Sequence, residues 1–226
     1  MGRDKYIYLH GFASSPHGGK AEYFRQGFGQ LSINLQTPDL NQGDFFNLTL
    51  TRQLNFIKAE YFDKISISDT TEKTLTSLPE ITLIGSSFGG LTSAILAQGN
   101  FKVKRLVLLA PAFQFHRHLS RLLGEAAMQQ WQRDGFGLFP HYGENRDLPL
   151  SYQFWVDLLQ YQNEQFSREI PTLIFHGIHD EVIPIESSRS FASDRPWVKL
   201  QELDSDHGLT NVLPQIWQGI QDFCQI

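Results

Sequence analysis

Short apolar runs, each ending in Gly, Pro or a polar turn, alternate along the chain with stretches of helical periodicity. The runs lie at residues 6–9, 33–37, 81–84, 106–110, 172–175 and 198–203. Those at 81–84, 106–110 and 172–175 are nearly all apolar, as strands covered on both faces must be. Residues 199–203 alternate loosely, as a strand nearer an edge can. Helical patterns fall between them at 20–31, 48–62, 88–98, 185–193 and 211–224. Strands that alternate with helices make βαβ units and a parallel sheet, so the fold class is α/β.

The 226 residues suit one domain with a sizeable core. A hydrophobic fraction of 41% against 19% charged residues excludes a disordered chain. A net charge of −5 provides no basic field, which argues against nucleic acid or a membrane surface as partner. Cys224 is the only cysteine. It can form no internal disulfide and reads as a buried packing residue. The apolar run that follows residues 1–5 is too short for a signal-peptide core or a membrane span, so a cytoplasmic location is expected.

Between Ala110 and Ile170 no good strand is visible. Residues 117–132 and 152–161 look helical. Gly135, Gly137, Pro140, Gly143 and Pro149 read as punctuation of a linker between them. The sheet resumes at Thr172, so the single domain of residues 1–226 is expected to carry residues 112–168 as a cap insertion between strands. Inserted segments often flank the ligand crevice at the strand ends.

The run 81–84 leads into Gly85-Ser86-Ser87-Phe88-Gly89-Gly90 and then a helical pattern. Gly85-x-Ser87-x-Gly89 has the form of a nucleophile elbow, in which a strained strand-to-helix turn lifts a serine Oγ above the sheet. Chance supplies the bare pattern in roughly one chain in ten of this length, so the strand before it and the helix after it carry the weight. The frame selects Ser87, because Ser86 has Ile84 and Phe88 where small residues are needed.

An acyl-transfer serine needs two N–H donors for the oxyanion, one from the residue after it and one from a loop after an early strand. These fall on Phe88 and on Phe12, with Ala13 as the other register, in Leu9-His10-Gly11-Phe12-Ala13. His207 stands alone between the last strand and the last helix, where the chain order Ser, acid, His puts the general base. The acid belongs after the preceding strand. Asp180 is the first choice there and Glu181 the second; Asp204 and Asp206 read as turn residues.

These motifs, with His176-Gly177-Ile178-His179-Asp180-Glu181-Val182-Ile183-Pro184 and Asp206-His207, resemble the α/β-hydrolase superfamily. Within it they are most similar to the small bacterial esterases of the YqiA/YcfP-like group. The resemblance implies an α/β-hydrolase fold, a Ser87–Asp180–His207 triad and an oxyanion hole from Phe12 and Phe88. It also implies esterase or thioesterase activity without a cofactor. Because the oxyanion loop follows the first strand directly, the sheet is expected to be trimmed to about six mostly parallel strands.

The function expected is hydrolysis of a carboxylic ester or thioester through an acyl-enzyme at Ser87, with a small-molecule partner and no metal. The alternatives are amidase or peptidase chemistry on the same triad, or a non-catalytic ligand-binding member of the fold. Spacing i, i+2 sets His116 and His118 apart on a helix, which argues against a metal pair. The aromatic insertion (Phe113, Phe115, Trp131, Phe136, Phe139, Phe154, Trp155) suggests an apolar acyl group or, at helical spacing, packing of cap on body. Arg117 and Arg121 are candidates for a substrate carboxylate.

Overall fold

The computed structural model describes residues 4–63, 79–162 and 165–226. Residues 1–3 of the N-terminal reading, and 163–164 of the insertion, lie outside the described residues. The described strands are β1 (Lys5–Leu9), β2 (Leu35–Gln36), β3 (Ile81–Ser86), β4 (Val103–Leu109), β5 (Phe136–His141), β6 (Arg146–Ser151), β7 (Thr172–Gly177) and β8 (Val198–Leu203). Six of them form one parallel sheet in the order β2-β1-β3-β4-β7-β8. Every run singled out as a strand is in it, and the loosely alternating 198–203 is an edge.

Side-chain alternation explains why the central runs are continuously apolar. Ile7, Leu9, Leu83, Leu106 and Leu108 point into one helical layer, and Tyr6, Tyr8, Ile84, Val107 and Leu109 into the other. The second layer is α1 (Gly19–Gln30) and α7 (Leu213–Cys224), which bury Phe24, Phe28, Ile216 and Ile220. Cys224 is buried in this layer, as expected of a packing residue. The first layer holds α2 (Leu50–Ile57), α3 (Phe88–Gly99), α4 (Phe115–Asp134) and α5 (Gln153–Leu158). Phe191 of α6 (Glu186–Ser193) packs against it. Thr49 caps α2 by accepting from the Arg52 amide at 3.1 Å, and the helix continues past Ile57 as a wider turn over Lys58–Asp63.

The region between Ala110 and Ile170 departs from the expectation. It contains an antiparallel hairpin, β5 with β6, where the glycines and prolines read as a linker. Proline is excluded from a sheet interior because it cannot donate to the ladder, but a two-stranded ribbon has a free edge on each side. Pro149 stands opposite Leu138 and Pro140 opposite Asp147 without breaking the pairing. The helical expectations on either side are met by α4, kinked at Gly124 (φ 75°), and by α5 with its 3₁₀ extension Leu159–Tyr161.

The segment between β4 and β7 shares its core with the sheet. Trp131, Phe139, Leu150, Phe154 and Leu158 belong to the same core cluster as β1, β3 and β4. The Trp131 indole donates to the Leu150 carbonyl at 2.9 Å, fixing α4 to the hairpin.

Candidate active site

The turn from β3 to α3 holds Ser87 at φ 52°, ψ −116°, outside the regions that L-residues ordinarily occupy. The strain is held by hydrogen bonds on both sides. The Ser87 amide donates to the Leu109 carbonyl at the end of β4 (2.8 Å), and its carbonyl accepts from Gly90 and Ala112. Glycine is compulsory at two of the flanking positions. A Cβ on Gly85 would stand 2.4 Å from the Gly89 carbonyl oxygen, and one on Gly89 would stand 2.1 Å from that of Leu9. The helix can start this close to β1 only because both side chains are absent.

His207 follows β8, and its Nε2 lies 3.0 Å from Ser87 Oγ. Its Nδ1 lies 2.7 Å from Asp180 Oδ2, at the end of β7. A carboxylate facing Nδ1 places the ring proton there and leaves the Nε2 lone pair for the serine hydroxyl. Gly177 makes this meeting possible: a Cβ there would be 2.3 Å from the Ser205 carbonyl in the His207 loop. Glu181 is exposed, and Asp204 pairs with His179 at 2.8 Å, so neither touches His207. Asp206 accepts from the Gly208 and Leu209 amides as a turn residue.

Asp180 is completely buried at its side chain. Its Oδ1 accepts from the Val182 and Ile183 amides at 2.9 and 2.7 Å. Its Oδ2 meets both His207 and His176 Nε2, the latter at 3.1 Å. Burial alone would push this carboxyl up. The hydrogen bonds from His176 and His207, the His207 charge and the Ile183 amide outweigh it and hold the carboxyl well below the usual carboxylate range.

His176 was not given a role by the sequence. It is wholly buried, with Nε2 also 2.9 Å from the Ile183 carbonyl and Nδ1 2.7 Å from Ser188 Oγ. Two acceptors around Nε2 require a proton there, so His176 donates to Asp180 and Ser188 donates to Nδ1. Its spacing of four from Asp180 was the available signal.

Phe12 follows β1 and stands beside Ser87 in one pocket of about 510 Å³. Neither the Phe12 nor the Phe88 amide donates to an acceptor among the described residues. Their rings meet edge-on at 6.2 Å, and that of Phe12 is further surrounded by Phe45, Phe115, Phe139 and Phe154. Ala13, the other register, has φ 52° and does not line the pocket. The hairpin turn braces this loop: the Tyr142 amide donates to the Ala13 carbonyl at 2.8 Å. His10 stays in the loop, with Nε2 accepting from the Leu40 amide.

The aromatic residues in the pocket wall are Tyr8, Phe12 and Tyr142. Phe113, Phe115, Trp131, Phe139 and Phe154 are buried in the core, so the packing reading of the insertion holds for them, and of the insertion only Tyr142 and Gly143 line the pocket. Arg117 and Arg121 do not line it either. Lys20, in the first turn of α1, does. His118 lies 3.1 Å from Ser187, and His141 packs edge-on against Phe45. Among the described residues no three His, Cys, Asp or Glu side chains are grouped to hold a metal, and no described helix is long and apolar enough to cross a membrane.

Sheet order, elbow and helical layers define the α/β-hydrolase fold. Solved structures share it. Alpha/beta hydrolase domain-containing protein 10 from mouse superposes with a TM-score of 0.77 at 18% identity, over 99% of this chain and 90% of that one. A putative hydrolase from Agrobacterium vitis S4 gives 0.78 at 20% identity, over 98% and 88%. Est1E from Butyrivibrio proteoclasticus, solved with ferulic acid bound, gives 0.70 at 20% identity, over 99% and 89%. In sequence, residues 5–225 match the family described as Uncharacterised protein family (UPF0227), and the chain belongs to that family. No curated protein matches it in sequence.

Proposed function

We propose that the protein is a serine hydrolase that cleaves a carboxylic ester or thioester through an acyl-enzyme on Ser87. The observation that carries this reading is the unbroken chain Ser87 Oγ–His207 Nε2, His207 Nδ1–Asp180 Oδ2, at 3.0 and 2.7 Å, opening on a pocket. Names such as hydrolase and Est1E among the structural neighbours agree with it.

Ser87 Oγ adds to the substrate carbonyl as His207 Nε2 takes its proton. The carbonyl π pair moves onto oxygen, where the Phe12 and Phe88 amides receive the charge. Asp180, ionised and fixed by two backbone amides, holds the Nδ1 proton and stabilises the imidazolium. The bond to the leaving oxygen or sulfur breaks as His207 returns its proton to that atom. Water then repeats the sequence, activated by His207, and frees the acid with Ser87 restored.

A fluorophosphonate probe should label Ser87 and nothing else. Ser87→Ala should abolish labelling and lower ester hydrolysis by about 10⁴-fold or more. Full esterase activity in that variant would overturn the reading.

A further inference from the structure

The pocket at Ser87 carries one fixed charge. Lys20 reaches it from α1, and its Nζ donates to the Gly208 carbonyl at 2.8 Å, across 188 residues of sequence. An ammonium has three donors, so this bond leaves two. No carboxylate forms an ion pair with Lys20 among the described residues. Burial lowers its pKa from the ordinary lysine value, against the pull of Asp206 and Asp180.

The other lining groups point the same way. No Asp or Glu lines the pocket. Asp206 is turned to its own loop amides, and Asp180 is sealed behind His207. Ser14, Thr210 and Tyr142 bring hydroxyls that make no hydrogen bond among the described residues. A half-buried cation with no carboxylate in contact is costly, and an incoming anion offsets that cost where a neutral group does not.

We propose that this pocket takes an ester or thioester bearing a second, anionic group, a carboxylate or phosphate, and that Lys20 recognises that group. The proposal rests on Ser87 being the nucleophile. The anion sits on either the acyl or the alcohol side of the scissile bond, and two pairs of substrates separate these. Mono-4-nitrophenyl adipate against 4-nitrophenyl heptanoate places the charge on the acyl side, on a chain too long for its carboxylate to displace the nitrophenolate itself. 3-Carboxyphenyl butyrate against phenyl butyrate places it on the alcohol side.

The readout is the ratio of kcat/KM, anionic over neutral, in wild type, Lys20→Met and Lys20→Arg. A charge-assisted hydrogen bond of this kind sets the expected fall, about tenfold or more in one pair for Lys20→Met, with Lys20→Arg recovering part of it. A ratio that does not move in either pair overturns the proposal and leaves Lys20 as the tether of the His207 loop. If Lys20→Met does not fold, wild type decides. The anionic member must be preferred in one pair, and the preference must shrink as salt rises. Neutral preference in both pairs, or no turnover of any of the four esters, counts against it. Ser87→Ala separates the two readings. Its retained activity would sink the nucleophile, whereas its inactivity beside an unmoved ratio would sink the anion alone.

Discussion

Asp180 is the most heavily held side chain of the site, with four hydrogen bonds to two oxygens. Because its folded pKa is depressed, its contribution to stability is complete above the unfolded value of about 3.9 and is lost as pH falls through the folded one. The melting temperature of Asp180→Asn should therefore lie below wild type at neutral pH, and the gap should begin to narrow as pH falls below about 4. Its kcat should fall by about 10⁴, since an amide no longer fixes the His207 tautomer. His176→Ala leaves both Asp180 and Ser188 short of a buried partner and opens a cavity. Urea denaturation should register a loss on the order of 3 kcal/mol. That Asp180 and His207 each stand just past a strand was legible in chain order, with Glu181 as the second choice for the acid; their contact was not. Nor was the place of Lys20, since a lysine in a first helical turn reads as solvated until Gly208 is brought to it from the far end of the fold.

The elbow and the hairpin show two ways in which backbone sets chemistry. Gly89→Ala forces a Cβ within 2.1 Å of the β1 carbonyl at Leu9, a contact that only backbone movement can relieve. A destabilisation on the order of 4 kcal/mol is expected by chemical denaturation. The hairpin acts through its turn. A Cβ on Gly143 would lie 2.7 Å from Ser15 Cβ, so Gly143→Ala should push the loop that carries Phe12. We expect kcat to fall by about tenfold or more while the probe still labels Ser87, because the proposed oxyanion donor Phe12 moves and the Ser87–His207 pair does not. The elbow could be read from sequence, since its glycines follow an apolar strand. The hairpin could not, because Pro140 and Pro149 argue against strands everywhere except on a narrow ribbon. Its alternation was present in buried Phe139 and His141 beside exposed Leu138 and Pro140, but too short to outweigh the prolines.

The insertion and the sheet share one core on one side, and α1 and α7 form a separate core on the other. The parallel sheet and its two covered faces were legible because continuous apolar runs have few other uses. What the insertion contributes was not, since its aromatics could equally have walled a pocket. Deleting residues 112–168 should unfold the protein by circular dichroism, where a detachable lid would leave the sheet intact. The same two-core arrangement supplies its own optical probes. Trp131 is buried against Phe139 on the insertion side, and Trp217 packs against Phe28 on the other. With the remaining tryptophans changed to phenylalanine, single-tryptophan versions would report the emission of each core separately. Coincident fluorescence transitions would mean that the sheet couples both cores into one cooperative unit. Transitions that part would reveal which core gives way first.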